Sequence, residues 1–338
     1  MDRSFGETGV SLTWLFGALT IMLVAHSKNR KPKTTDPAIV SMLRGVSPDR
    51  MRLFVEMIAF PRHYVAERKA NVRARDLLLK LLHGFGYKPV LQGSYDNIVA
   101  SAGGVEEIPH VLLGAHYDSV PGTPGADDNA SAVAVCLECA RLLRENNIGS
   151  AMIVLFNREE DGLLGSSEFV AHLGEAPAWA VEEAHIFEMV GFRNRAAGSQ
   201  RMPPGLPGVA APDAGDFLAL LANRHSNALA ENLLDLAASY IPQFPVLALK
   251  IYLGVEKYFG HLLRSDHAPF WKAGITSVMW TDTSEFRNPH YHRASDTPAT
   301  LDYDFLSQVA KLALARVVLR ACKYRGPDRR SIRGICLP

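Results

Sequence analysis

Hydrophobic and polar positions divide the chain into three stretches. Thr8 to Ala25 runs 18 residues without a charge, and Lys28, Arg30, Lys31 and Lys33 come soon after. As a helix this run would be about 27 Å long, close to the roughly 30 Å hydrocarbon core of a bilayer. It therefore reads as a membrane anchor. A cleaved signal peptide is the first rival, weakened because Asp2 and Glu7 offset Arg3 and Leu23 stands three residues before a cut after Ala25. An apolar helix packed on the domain is the second. The basic flank argues for a cytoplasmic side for the domain beyond it. On this reading residues 1–36 are a hydrophobic segment with a basic linker, 37–325 one domain, and 326–338 a basic flexible tail.

Beyond Pro37 the periodicity is that of an α/β domain. Leu53, Val55, Ile58 and Ala59, then Ala66 through Leu82, predict two amphipathic helices, the second punctuated by Gly84 and Gly86. Short apolar runs predict strands at Asn97–Ala100, His110–Gly114, Ala151–Phe156, Ala184–Val190, Val246–Tyr252 and Ile275–Trp280. Helices are predicted at Ser131–Leu143, Ser166–Leu173 and Phe305–Cys322, the last with Leu306, Val309, Leu312, Ala313 and Val317 on one stripe. Alternating strands and helices imply a three-layer fold, a mostly parallel mixed sheet covered on both faces. Ser199–Gly215, rich in proline and glycine, reads as a surface loop near the site.

Composition changes this picture little. A hydrophobic fraction of 48% and a charged fraction of 21% exclude a disordered chain. A net charge of +1 removes any global attraction to nucleic acid. Four cysteines exclude a disulfide scaffold. Cys136 and Cys139 fall inside a helix of Ala, Val and Leu, so core packing explains them better than redox chemistry. Cys322 and Cys336 are in principle able to pair. Asn129-Ala130-Ser131 matches a glycosylation triplet, but a glycan there would obstruct the acidic cluster at Asp127 and Asp128.

The chemistry gathers where loops leave strand ends, the usual place for sites in open α/β sheets. His116 and Asp118 are two apart, so Asp118 can fix the imidazole tautomer and leave the other nitrogen for a metal; a plain surface pair is the bland alternative. Asp127-Asp128-Asn129 precedes a helix and holds more acid than a cap needs, which invites a cation. Glu159 and Glu160 come after a core strand, and diverging neighbours suit one as ligand and the other as base, although a solvated acidic turn would look the same. Glu188 sits inside an apolar strand, where a lone glutamate needs a partner or a metal. His290 and His292 flank Tyr291 before the last helix, and one of the histidines is structural.

In order and placement these stretches resemble peptidase family M28, the zinc aminopeptidases with co-catalytic metals. The matching segments are His116-Tyr117-Asp118-Ser119, Gly125 to Ser131, Glu159 to Ser166, Glu188-Met189-Val190-Gly191, and Tyr291-His292 with Ser295-Asp296-Thr297. The likeness covers about residues 60 to 320. It implies two zinc ions, with manganese or cobalt also compatible with the donors. Asp128 would bridge them, His116 and Glu188 would complete one, and Glu160 and His292 the other. Glu159 would be the general base, Asp118 its catalytic neighbour beside His116, and Tyr291 would polarise the scissile carbonyl. Asp266 and His267 would shape the substrate pocket. Glu188 stands where many relatives carry Asp, and Ala132 where a glycine is usual.

The resemblance thus implies a metal-dependent exopeptidase, foremost an aminopeptidase, acting on a peptide or small amide. It would be anchored to a membrane or exported. Rival readings are a carboxypeptidase, a single-zinc glutaminyl cyclase, a catalytically inactive receptor module on the same fold, and a membrane-tethered binding protein.

Overall fold

The computed structural model describes residues 22–101, 110–149, 151–173, 180–203 and 212–324. Among them nine strands form one sheet: β1 (Met22–His26), β2 (Val90–Gln92), β3 (Asn97–Ser101), β4 (His110–His116), β5 (Ala151–Phe156), β6 (Val181–Glu188), β7 (Leu218–Ala222), β8 (Val246–Ile251) and β9 (Ser277–Thr281). Their spatial order is β1-β8-β7-β9-β6-β4-β5-β3-β2. The four central strands β9, β6, β4 and β5 run parallel. Antiparallel pairs finish both sides, β5–β3–β2 on one and β9–β7 and β8–β1 on the other. The predicted mixed α/β sheet is therefore observed. Its centre is fully buried, as in β5, where all six residues of Ala-Met-Ile-Val-Leu-Phe are covered, the continuous apolar run expected of a parallel strand.

Eight α-helices accompany the sheet among the described residues: α1 (Pro37–Leu43), α2 (Pro48–Ile58), α3 (Arg68–Gly84), α4 (Ala132–Glu145), α5 (Leu164–Leu173), α6 (Asn227–Tyr240), α7 (His267–Lys272) and α8 (Tyr303–Tyr324). The first two start by the same local device. Asp36 and Ser47 accept a hydrogen bond from the first turn, and a proline occupies the first helical position. Helix α4 packs against α2, α3 and α8 on one face, and its Cys136 and Cys139 are core residues. On the other face α5 and α7 cover the β5–β4–β6 portion, through Phe169 and Phe270 against Phe156, Leu112 and Ile186. Farther along that face Trp271 of α7 and two short 3-10 turns, Val255–Tyr258 and Gly260–Leu263, pack on Leu221 of β7 and on Leu249 and Ile251 of β8.

One expectation is revised. Of the uncharged N-terminal run, residues 8–21 lie outside the described residues, but Met22–Ala25 is strand, paired antiparallel with β8 from Met22 opposite Ile251 to His26 opposite Leu247. Two residues of the basic flank turn inward as well. Arg30 pairs with Glu231 and Asp235 on α6, and Lys33 with Asp235 at 2.7 Å. The folded unit thus takes in residues 22–36, ahead of the expected boundary at 37. No helix of the described residues is long and apolar enough to cross a membrane. The basic tail at 326–338 and Cys336 lie outside the described residues, as does 204–211 of the proline-rich loop.

Candidate metal centre

The carboxyl ends of β4, β5 and β6 deliver acid and imidazole to one place. His116 is the last residue of β4, Glu159 and Glu160 come just after β5, and Glu188 is the last residue of β6. Asp128 comes from the turn before α4, and His292 from the segment after β9. Several of these turns are held in left-handed backbone by residues other than glycine: Arg158 (φ 60°), Met189 (φ 46°) and His292 itself (φ 55°). Such conformations cost about 1–3 kcal/mol each and persist where surrounding structure over-determines them. At Gly125 (φ 57°) a Cβ would stand 2.2 Å from the Asp128 carbonyl oxygen, so only glycine lets this turn close on itself.

The two oxygens of Asp128 face different imidazoles. Oδ1 lies 3.4 Å from His116 Nε2, and Oδ2 lies 3.1 Å from His292 Nε2. Glu188 Oε2 is 3.3 Å and Glu159 Oε2 4.0 Å from His116 Nε2, while Glu160 Oε2 is 3.8 Å from His292 Nε2. His116 is buried, and neither of its ring nitrogens makes a well-formed hydrogen bond. Buried polar groups left this way call for a partner. The spacings suggest which. Ligand atoms at about 2.0–2.1 Å from a tetrahedral zinc stand about 3.3 Å apart. The contacts of His116 Nε2 with Asp128 and Glu188 match that edge length. The donor set of imidazole and carboxylate suits zinc, so the residues present fit the metal that the sequence implies.

Electrostatics agrees. Burial raises the pKa of Glu159 well above the carboxylate range; Glu188, Glu160 and Asp266 push it further, and His116 opposes. Glu160 is raised in the same way, by burial and then by Asp128. Burial would lower His116, but Glu188, Glu159, Asp118 and Asp128 together hold it well above the usual imidazole value. Asp128, despite burial, is lowered by His116 and His292. A cluster whose carboxyls resist ionising is short of positive charge.

Residues beyond the cluster hold it in place. Asp118 accepts the backbone N–H groups of both Glu159 and Glu160, each at 3.3 Å, and its Oδ1 is 3.4 Å from His116 Nδ1. Asp296 accepts from the backbone N–H of Asp127 and Asp128 at 2.9 and 3.1 Å. Asp127 accepts from Gly191 N–H at 2.9 Å and Asn288 Nδ2 at 2.6 Å, pinning the turn after β6. The buried Arg62 donates to the carbonyls of Tyr117, Pro124 and Gly125. Sequence reasoning assigns no role to Arg62, Asn288 or Asp296. Arg62 has no local signal, because its partners lie about sixty positions away.

The remaining candidates separate. Tyr291 stacks on His292 with ring centroids 3.7 Å apart, and its hydroxyl accepts from Arg264 Nη2 at 2.7 Å. Burial raises its pKa, Asp128 adds to this, and Arg264 opposes it. Tyr291, Glu188, Arg264 and Ser265 line a cavity beside the cluster. Asp266 and His267 do not. Both are fully buried at the start of α7. His267 donates from Nε2 to the Leu262 carbonyl at 2.8 Å and packs edge-on to Trp271, and burial lowers its pKa to about 4. Burial raises Asp266 to about 7, with Glu188 and Asp118 adding to it. Of the pocket-shaping pair, the structure turns both inward and puts their neighbour Ser265 at the cavity wall, where its hydroxyl donates to Glu188 at 2.8 Å.

Comparison with known proteins covers the stretch of chain that carries these residues. The model of peptidase family M28 matches 97–317. The uncharacterized protein YfbL of Escherichia coli K12 is 34% identical over 65% of this chain and 70% of its own length. Aminopeptidase YwaD of Bacillus subtilis is 31% identical over 64% of this chain, which spans 42% of that protein. Among solved structures, the LapA aminopeptidase of Legionella pneumophila superposes with a TM-score of 0.67 at 22% identity, covering 86% of this chain and 78% of that one. The glutaminyl cyclase of Porphyromonas gingivalis does so at 0.60 and 21%, covering 82% and 99%. At these identities the structural likeness speaks for the fold.

Proposed function

The chain belongs to peptidase family M28 and is a zinc metallopeptidase, and from that premise we propose that it is an aminopeptidase with a two-metal centre. The observation that carries the proposal is the posture of Asp128, whose two oxygens address His116 and His292 separately. On this reading His116 and Glu188 would hold one ion, Glu160 and His292 the other, and Asp128 would serve both. Bound zinc supplies Lewis acidity, lowering the pKa of water and polarising an amide carbonyl.

The protein's own groups do the rest. Glu159, buried beside the cluster, takes the proton of the attacking water and hands it to the leaving amine. Asp118 positions both glutamates through their backbone N–H groups and steadies the His116 ring. The Tyr291 hydroxyl accepts from Arg264, which leaves its own proton to donate to the oxyanion. The same proposal places the enzyme outside the cytoplasm or on a membrane, on the strength of the uncharged run at 8–21; fractionation of cells making the full chain tests it.

Metal analysis and a substrate panel test the central claim. Two zinc ions per chain and cleavage of free aminoacyl amides are expected. One ion with cyclisation of N-terminal glutamine would establish the cyclase instead. Cleavage of N-blocked peptides alone would establish a carboxypeptidase.

A further inference from the structure

Strand register extends the site sideways. Side chains alternate along a strand, so Glu188 shares its face with Ile186. Glu188 is opposite Thr281, Thr281 opposite Ala219, and Ala219 opposite Leu247. A second row on the same face runs from Ile186 through Met279, Leu221 and Leu249 to Val24 on β1. Glu188, these apolar residues from β9, β7 and β8, and Val24 line one continuous cavity. Leu262, on a 3-10 turn that packs over Leu221 and Leu249, lines the same cavity.

The cavity is longer than one side chain needs. Neighbouring strands are about 4.8 Å apart, so four spacings put Val24 about 19 Å from the β6 position of Glu188. Long and aromatic side chains reach about 7–8 Å. Beyond Thr281 the residues of the two rows that line the cavity are only Ala, Leu, Met and Val; His26, opposite Leu247, ends the first row on β1 outside the lining. Polar groups gather at the near end and satisfy one another: Ser265 donates to Glu188, and Arg264 is held between Glu285 and Tyr291. At the far end stands Val24, on an edge strand that precedes the family-matched region, which begins at residue 97.

We propose that this trough receives an apolar group longer than any standard side chain, a long alkyl or extended aryl group on the residue whose amide is cleaved, and that Val24 sets the accepted length. The proposal rests on the aminopeptidase reading for its substrate class. Each buried methylene should improve kcat/KM by about four-fold until Val24 is reached.

The test uses 4-nitroanilides of alanine, norleucine, 2-aminooctanoic acid and 2-aminodecanoic acid with the full chain. The wild type should favour the ten-carbon substrate. Val24→Trp should lower the ratio of its kcat/KM to that of alanine ten-fold or more, and Val24→Ala should keep or raise it. A wild-type optimum at norleucine, or a ratio that both variants leave within two-fold, would overturn the proposal. Calorimetry on Glu159→Gln supplies a readout without turnover: 2-aminodecanamide should bind at least ten-fold tighter than norleucinamide, and equal binding would refute the trough. If no anilide is cleaved while the long amide still binds tighter, the peptidase reading fails and the trough stands.

Discussion

The two ends of the cavity are built on opposite principles. At the cluster end, four carboxylates and two imidazoles crowd the carboxyl ends of β4, β5 and β6 and the turns beside them, and a second ring of hydrogen bonds from Asp118, Asp127, Asp296 and Arg62 fixes them. At the trough end, two rows of apolar side chains are aligned by nothing but strand register. The first region gains its properties from charge held away from water, which makes it sensitive to the loss of single atoms. The second gains them from area and shape, which makes it graded. Catalysis and selectivity therefore lie on different residues and should be separable by mutation.

The sharpest break is Glu159→Gln. The amide keeps the shape and removes the base, so kcat should fall by about 10³-fold, the mid-range for a positioned general base. Zinc content should be unchanged. Turnover near wild type would remove Glu159 from the chemistry and leave the trough intact.

How far each region is readable from sequence reflects the same contrast. The cluster residues sit in short local motifs, His116-x-Asp118, Asp127-Asp128-Asn129 and Glu159-Glu160, each close to an apolar run that reads as a strand or a buried helix. What sequence misses there is long-range, as with Arg62. The trough has no motif. β7, Leu-Ala-Leu-Leu-Ala, lacks alternation and is too short to distinguish from helix. β2, three residues long, is likewise too short to read, whereas α6 repeats Leu229, Ala230, Leu233, Leu234 and Ala237 at legible helical spacing. β1 is submerged in an uncharged run whose length suggests a bilayer, because composition cannot tell a segment that pairs with Val246–Ile251 from one that enters lipid. Motif likeness puts Asp266 and His267 at the pocket; both are fully buried and neither lines the cavity, His267 bonding to Leu262 while Asp266 stays within electrostatic reach of Glu159 and Glu188.

Asp128→Ala should be the next largest effect. It removes the carboxylate that stands between two imidazoles, so zinc should fall from two ions per chain to one or none. The stabilisation that saturating metal confers, about 2.7 kcal/mol at a hundredfold excess over Kd, should shrink in a calorimetric melt. Full zinc occupancy in this variant would end the bridging assignment.

The metal-free protein provides a pH test of the cluster. Glu159, Glu160 and Asp266 are raised, by burial first and then by the charge of neighbouring carboxylates such as Glu188, Asp266 to about 7. In the unfolded chain such groups lose their protons near pH 4. The unfolded state thus binds fewer protons, and stability falls as pH rises. Their contribution is complete below about pH 4 and is lost as pH rises through the folded values. His116, also raised, has the same sign, complete below about 6.5 and lost through its raised value. The Tm of chelator-treated protein should therefore drop between about pH 5 and pH 8, and zinc should reverse the trend. A flat or rising profile without metal would show that the carboxylates are already neutralised by the protein.

The smallest effect belongs to the trough end. Arg30 reaches from the segment after β1 to Glu231 and Asp235 on α6, while Glu231 also pairs with Lys250 of β8. The pairs are partly exposed, so Arg30→Ala should cost only about 0.5–1 kcal/mol of global stability. Its local consequence should be larger than its global one, because an edge strand has a ladder on one side only. Hydrogen exchange should show faster opening of Ala25 and its neighbours on β1, with zinc content unchanged. If β1 exchanges no faster, the ladder to β8 alone holds the strand, and the ion pairs are surface features that happen to bracket it.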